Sequence, residues 1–162
     1  MWAGPSAALG QVNQVDAYIA PVNFSLASVL GDYAFVGTYA GNVAQEIGTM
    51  NVDVRGNFTG SSIVNVLRAN GERVVVNVTF TGTYTVNCDG AGVDSFTATL
   101  PDGSTVERTE DYVITEAQVI GGELIATEMV AAVREPSAVV PGGVFLTHTY
   151  TRQRPVARYS DN

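Results

Sequence analysis

The chain has 162 residues, 46% of them hydrophobic, which suits one domain with a sizeable core. It carries 16 acidic against 8 basic side chains, a formal net charge of −8, and every basic residue is an arginine. That balance argues against nucleic acid or an anionic membrane as partner, because both draw on a basic patch. A single cysteine, Cys88, excludes an intrachain disulfide and a four-cysteine zinc site, and with a single histidine no metal site is expected.

Residues 1–23 lack periodicity, contain Pro5 and Pro21, and read as an extended N-terminal arm. No basic segment leads into an apolar core of the kind a signal peptide has, and no run approaches the roughly 20 apolar residues of a membrane-spanning helix. Neither a signal peptide nor membrane insertion is therefore expected. "FSLASVLG", residues 24–31, predicts one or two helical turns ending at Gly31.

From there to Gln153 the hydrophobic period is two, the mark of half-buried strands. Eight runs can be drawn, at 32–40, 45–55, 58–69, 72–87, 93–100, 104–115, 117–130 and 143–153. Most separators are turn chemistry: Gly56-Asn57, Asn70-Gly71, Asp89-Gly90, Asp102-Gly103 and Pro141-Gly142-Gly143. Connections this short join antiparallel neighbours, and no crossover helix is available for a parallel sheet. The expectation is an all-β domain over 24–153, a single eight-stranded antiparallel up-and-down barrel, with a two-sheet sandwich as the other possibility. Residues 154–162 read as a polar tail. The threonine-rich outer face of the fourth run would suit the packing of a tail or a second subunit, and a homo-oligomer is expected.

Strand phase separates inward from outward residues. In "TFTGTYTVNCDGAG" and the run before it, Val74, Val76, Val78, Phe80, Gly82, Tyr84 and Val86 share the inner face, with threonines outside. The same phase puts Tyr33, Phe35, Gly37 and Tyr39 on one face, Met50, Val52 and Val54 inside, and Phe96, Ala98 and Leu100 inside. The sixth run is the one where polarity intrudes. Its more apolar face is Val106, Arg108, Glu110, Tyr112 and Ile114, which aims two charges inward. Leu146, His148, Tyr150 and Arg152 share a phase in the last run, so His148 would enter the same space.

The order of "FSLASVLGDYAFVGT", "GNFTG", "FTGTYTVNCDGAG", "LPDGST" and "YTRQ", across residues 24–153, resembles a family of secreted bacterial proteins of unknown function. The chain departs from that pattern at Phe24, where a cysteine is often found, and at Cys88, which precedes the aspartate rather than following it. At the level of fold it is similar to calycins and the allene-oxide-cyclase-like barrels. Gly31-Asp32-Tyr33 resembles their Gly-x-Trp start, and Arg152 sits where they place an arginine across that aromatic. The resemblance implies a secreted or periplasmic protein, with a cytoplasmic location left open, and a lumen that takes a small apolar ligand.

Two functional expectations follow. In the first the barrel binds a small, mostly apolar molecule, or is a cofactor-free isomerase, cyclase or lyase acting on one. Glu110 or His148 would move the proton, since a desolvated carboxyl and an imidazole are the groups able to exchange one near neutrality. Arg108 and Tyr112 would orient the substrate, and Tyr33, Phe80, Tyr84 and Tyr150 would line its site. This requires an open lumen of roughly a few hundred Å³. In the second the barrel is packed solid and the protein is structural or self-assembling. Bland readings stand beside the sharp ones: Arg108 and Glu110 as a solvated pair at the barrel mouth, and His148 as an ordinary strand residue. Cys88 has no base near it in sequence to make it a nucleophile. No phosphate loop, dinucleotide fingerprint, calcium loop or nucleophile elbow occurs, so no cofactor is expected.

Overall fold

A computed structural model describes residues 23–68, 70–140 and 142–153. The expected arm, apart from Asn23, and the C-terminal tail lie outside these residues.

Eight strands close into one antiparallel up-and-down barrel: β1 Gly31–Tyr39, β2 Ala44–Val52, β3 Asn57–Leu67, β4 Arg73–Val86, β5 Ala91–Thr99, β6 Thr105–Ile120, β7 Glu123–Val133 and β8 Leu146–Arg152. Each pairs with its sequence neighbour, and β8 returns to β1 with Tyr33 opposite Arg152 and Gly37 opposite His148. Closure leaves no unpaired sheet edge.

Turn chemistry sets the register. At Asn70, Asp89 and Asp102 the side-chain oxygen accepts the backbone N–H two residues on, from Glu72, Ala91 and Ser104. Asp53 does the same for Arg55 and also takes the N–H of Asn57. These Asx turns fix short loops between strands.

One boundary differs from the sequence reading. The break placed near residue 116 is a bulge within β6, where register shifts between Ile114, Glu116 and Ala117. The true turn is Gly121-Gly122, both at positive φ (63° and 89°), inside the run drawn as 117–130. A bulge inserts one residue and flips the side-chain phase, so in sequence it imitates a strand end. Val54, expected inside, is 66% exposed because β2 ends at Val52 and the chain has entered the turn.

The interior is filled by a rule of pairing. Phe35 stands opposite Gly48, Phe58 opposite Gly82, Phe80 opposite Gly60, Phe96 opposite Gly82 and Tyr112 opposite Gly92. A Cβ on any of these glycines would collide with the facing ring. A glycine on the inner face leaves its neighbour's ring room to lie across the strand, so the barrel interior is packed by large side chains beside empty positions. Gly82 serves two rings at once, Phe58 on β3 and Phe96 on β5.

One barrel end is closed by a short 3-10 turn, η1 Leu26–Val29, whose Val29 is buried and which packs against β7. At the other end lie the β1–β2 and β5–β6 turns and the described residues of the β3–β4 and β7–β8 connections.

Candidate functional site in the barrel lumen

Two walls of different chemistry face each other in the lumen. Phe35, Phe58, Phe80 and Phe96 form one, a ring cluster with centroids 5.8–6.2 Å apart. Polar side chains from β1, β2, β5, β6 and β8 form the other. Between them lies a cavity of about 80 Å³, bordered also by Val64, Val78, Glu46, Asp94, His148 and Tyr150 and reaching toward Arg108, Glu135 and Leu146 at the open end. It is smaller than the few hundred Å³ the ligand-binding expectation called for, because the phenylalanine rings fill much of the bore.

His148 is the centre of the polar wall. Its Nδ1 lies 2.7 Å from Glu110 Oε1, and its Nε2 lies 3.7 Å from Glu46 Oε2, an ion pair too long to be a hydrogen bond. Tyr150 donates its hydroxyl to Glu110 Oε2 at 2.9 Å, and Tyr39 donates to Glu46 Oε2 at 2.9 Å. Glu110 is fully buried and does not border the cavity; His148 and Glu46 do.

Small residues make these contacts possible. His148 and Glu46 sit on β8 and β2, with β1 between them, and the intervening inward residue is Gly37. A Cβ there would come within 2.9 Å of both Glu46 Cβ and His148 Cδ2. On the other side β7 separates His148 from β6, and its inward residue opposite His148 is Ala131. A glycine and an alanine thus let one imidazole meet carboxylates two strands away on either hand.

The electrostatics follow from that sandwich. Burial opposes charge on His148, but Glu110 and Glu46 outweigh it and raise its pKa to about 10, so the ring is an imidazolium at neutral pH. Burial also opposes charge on Glu46, and His148, Ser62 and Tyr39 overcome it, leaving the carboxyl below its ordinary range. Asp94 behaves oppositely: burial first, then the neighbouring Glu110, hold its carboxyl well above the usual range. Burial and the carboxylates around Tyr150 push its phenol well up, so it stays a hydrogen-bond donor. Among the described residues, Asp94 Oδ1, His148 Nε2 and Ser62 Oγ are buried polar atoms with no hydrogen-bond partner.

The residues singled out from the sequence fall into two groups. His148, Phe80, Tyr150 and Arg108 border the main cavity, with Glu110 directly behind His148. Arg108 makes no ion pair with Glu110; it donates to Glu107 O at 2.7 Å near the mouth. Tyr33, Tyr84 and Tyr112 lie toward the plugged end and spend their hydroxyls on backbone carbonyls of Ala126, Leu26 and Asp53, and Thr85. Arg152 donates to the Tyr33 hydroxyl at 3.1 Å. Cys88 is exposed.

Sequence reasoning missed Glu46, Asp94 and Tyr39 as a site. The signal was there: Glu46 shares the phase of Met50 and Val52, and Asp94 that of Phe96 and Ala98. Among the described residues no group of three or more metal-ligating side chains is assembled, and no helix is long and apolar enough to cross a membrane. No protein-family model, curated protein or solved structure matches the chain.

Proposed function

We propose that the barrel binds a small, mostly apolar molecule in its lumen and moves a proton on it without a cofactor, as an isomerase or cyclase would. The observation that carries this is His148 at the wall of an apolar cavity with the carboxylate of Glu46 facing it across Gly37; the two flanking carboxylates favour its charged form. A carboxylate can take a proton from a bound carbon acid, and the imidazolium can return one elsewhere on the same molecule. The two groups are 3.7 Å apart, so the proton returns between them through one bridging water or after the pair closes to hydrogen-bond distance, and a net isomerisation needs no co-reactant. Glu110 and Tyr150 are positioning residues in this scheme: they hold the ring and its charge but stand behind it. The apolar wall supplies affinity through burial rather than polar contacts. Arg108 at the mouth meets the ligand on entry.

Xenon under pressure tests the binding half, since a dry apolar cavity takes it up. Methyl resonances of Val64, Val78 and Leu146 should move with xenon, while outward Val36 and Ile47 stay still. If none of the lumen methyls moves, the barrel is closed to ligands.

One observation favours a structural, self-assembling protein as second reading. Val113, Val130, Thr149, Val36, Ile47 and Ile63 stand in register on consecutive strands, and their side chains face outward. An uncharged belt of this kind suits contact with another copy, and sedimentation of the full chain tests this reading, a monomer at all concentrations overturning it.

A further inference from the structure

We propose that Asp94 is a further catalytic residue of this lumen, binding the carbonyl oxygen of a small aliphatic ketone or enone, and that such a carbonyl compound is the substrate class. The proposal rests on the lumen-binding reading above and adds the chemical identity of the ligand's polar atom.

Asp94 sits on β5 between Tyr84 of β4 and Glu110 of β6 in register. It borders both the main cavity and a small one of about 10 Å³ below it, so it forms the floor of the ligand space. It is 8% exposed, its Oδ1 has no partner, and it takes part in no salt bridge among the described residues. Burial first, then the neighbouring Glu110 carboxylate, hold the Asp94 carboxyl well above its ordinary range and favour its protonated form; His148 opposes this and Asp111 outside the barrel adds to it. A protonated carboxyl is a hydrogen-bond donor.

Three of the other lumen donors are committed, while His148 Nε2, 3.7 Å from Glu46, is a charged donor without a hydrogen bond. Tyr39 gives its proton to Glu46, and Tyr150 and His148 Nδ1 give theirs to Glu110. His148 Nε2 is turned toward Glu46. What fits a lone neutral donor in a phenylalanine-lined cup is an uncharged acceptor on a small apolar body. A carboxylate ligand would meet the Glu46 carboxylate in the cavity wall, with Glu110 behind His148, and be repelled. A carbonyl meets the requirement, and the cavity volume restricts it to a handful of non-hydrogen atoms.

The step balances within the protein. Glu46, on β2 and three strands from β5 around the ring, removes a proton from the carbon between the carbonyl and an alkene. The electron pair moves into the carbonyl as a dienolate whose oxygen is stabilised by the Asp94 O–H. The His148 imidazolium returns a proton to the far alkene carbon, and the proton on Glu46 restores His148. The β,γ-unsaturated ketone leaves as its conjugated isomer.

The experiment is isotope-edited infrared spectroscopy of acetone carrying a ¹³C carbonyl, with the full chain and with Asp94→Asn and Asp94→Leu. The bound carbonyl band should lie below its position in hydrocarbon in the wild type, return to that position in Asp94→Leu, and keep part of the shift in Asp94→Asn, whose amide still donates. Equal bands in wild type and Asp94→Leu overturn the assignment while leaving lumen binding intact; no bound band in any variant overturns both. Tighter binding of isobutylamine than of acetone also overturns it, since it makes Asp94 the partner of an ammonium ion. Conversion of pent-4-en-2-one to its conjugated isomer, followed by ultraviolet absorbance, should slow at least tenfold in Asp94→Leu and less in Asp94→Asn. An unchanged rate counts against a catalytic Asp94.

Discussion

The two halves of the lumen use the same residue type in opposite ways. Toward the plug, Tyr33, Tyr84 and Tyr112 give their hydroxyl protons to backbone carbonyls. Toward the mouth, Tyr39 and Tyr150 give theirs to the carboxylates of Glu46 and Glu110. A tyrosine bonded to a carbonyl fastens one segment to another and carries no charge with it. A tyrosine bonded to a buried carboxylate stabilises a charge the interior would otherwise expel. The plug half is therefore a clasp, and the mouth half is a poised charge cluster. Phase alone cannot tell them apart, because all five tyrosines point inward.

The largest blow to this contrast comes from removing one member of the charged cluster. Glu110→Leu leaves the His148 ring with only the distant Glu46 and strips Tyr150 of its acceptor. Breaking a buried ion pair from one side costs about 3–5 kcal/mol. Urea unfolding should show a loss of that size, and the double variant Glu110→Leu with His148→Leu should regain part of it, because no buried cation is left while Glu46 is left with the Tyr39 hydroxyl in place of an ion pair. A double variant no more stable than the single one would mean that the cluster is held by packing and not by charge.

pH sharpens the same point. His148 has its pKa raised from 6.5 to about 10, so its contribution is complete below 6.5 and is lost as pH climbs through 10. Asp94, raised from 3.8, keeps a proton that the unfolded chain gives up, so its contribution also falls as pH rises past 3.8. Glu46 is lowered from 4.5 and loses its contribution only as pH falls below that value. Above pH 3.8 the loss of the Asp94 contribution lowers the urea midpoint first, and from pH 6.5 toward 10 the loss of the His148 contribution adds to the decline. Asp94→Asn should flatten the decline. A wild-type midpoint that rises across this range would contradict the charge assignments.

How much of this was legible follows from what alternation records. The eight strands and the inward phase of Arg108, Glu110, Tyr112, His148 and Tyr150 could be read directly, because period two fixes the face of every residue between two turns. The β6–β7 boundary could not, because the bulge at Glu116 resets the phase just where a turn would. The pairing of Glu110 with His148 lay within reach as one option, since both were inward. The triad with Glu46 did not, because it depends on strands being two apart around a closed ring with Gly37 and Ala131 between them. Closure and register, and not composition, create that neighbourhood. Asp94 shows the limit most sharply: in sequence it is one carboxylate among 16 acidic residues, and only the barrel reveals that, among the described carboxylates, it alone has a buried oxygen without a partner.

The smallest effect belongs to the clasp. Tyr84 donates toward Asp53 O at 2.9 Å and Leu26 O at 3.1 Å, tying η1 to the β2–β3 turn, and burial pushes its phenol up to about 12. Tyr84→Phe keeps the ring, which still borders the small lower cavity with Val29 and Met50. The change removes one proton donor from two carbonyls, one of which can turn to water. The expected loss is about 1 kcal/mol, the net worth of an ordinary hydrogen bond. The acetone band should not move at all, because nothing at the mouth-side cluster has changed. If Tyr84→Phe shifts that band, the plug and the charge cluster are one mechanical unit, and η1 controls the geometry of the site as well as closing the barrel beneath it.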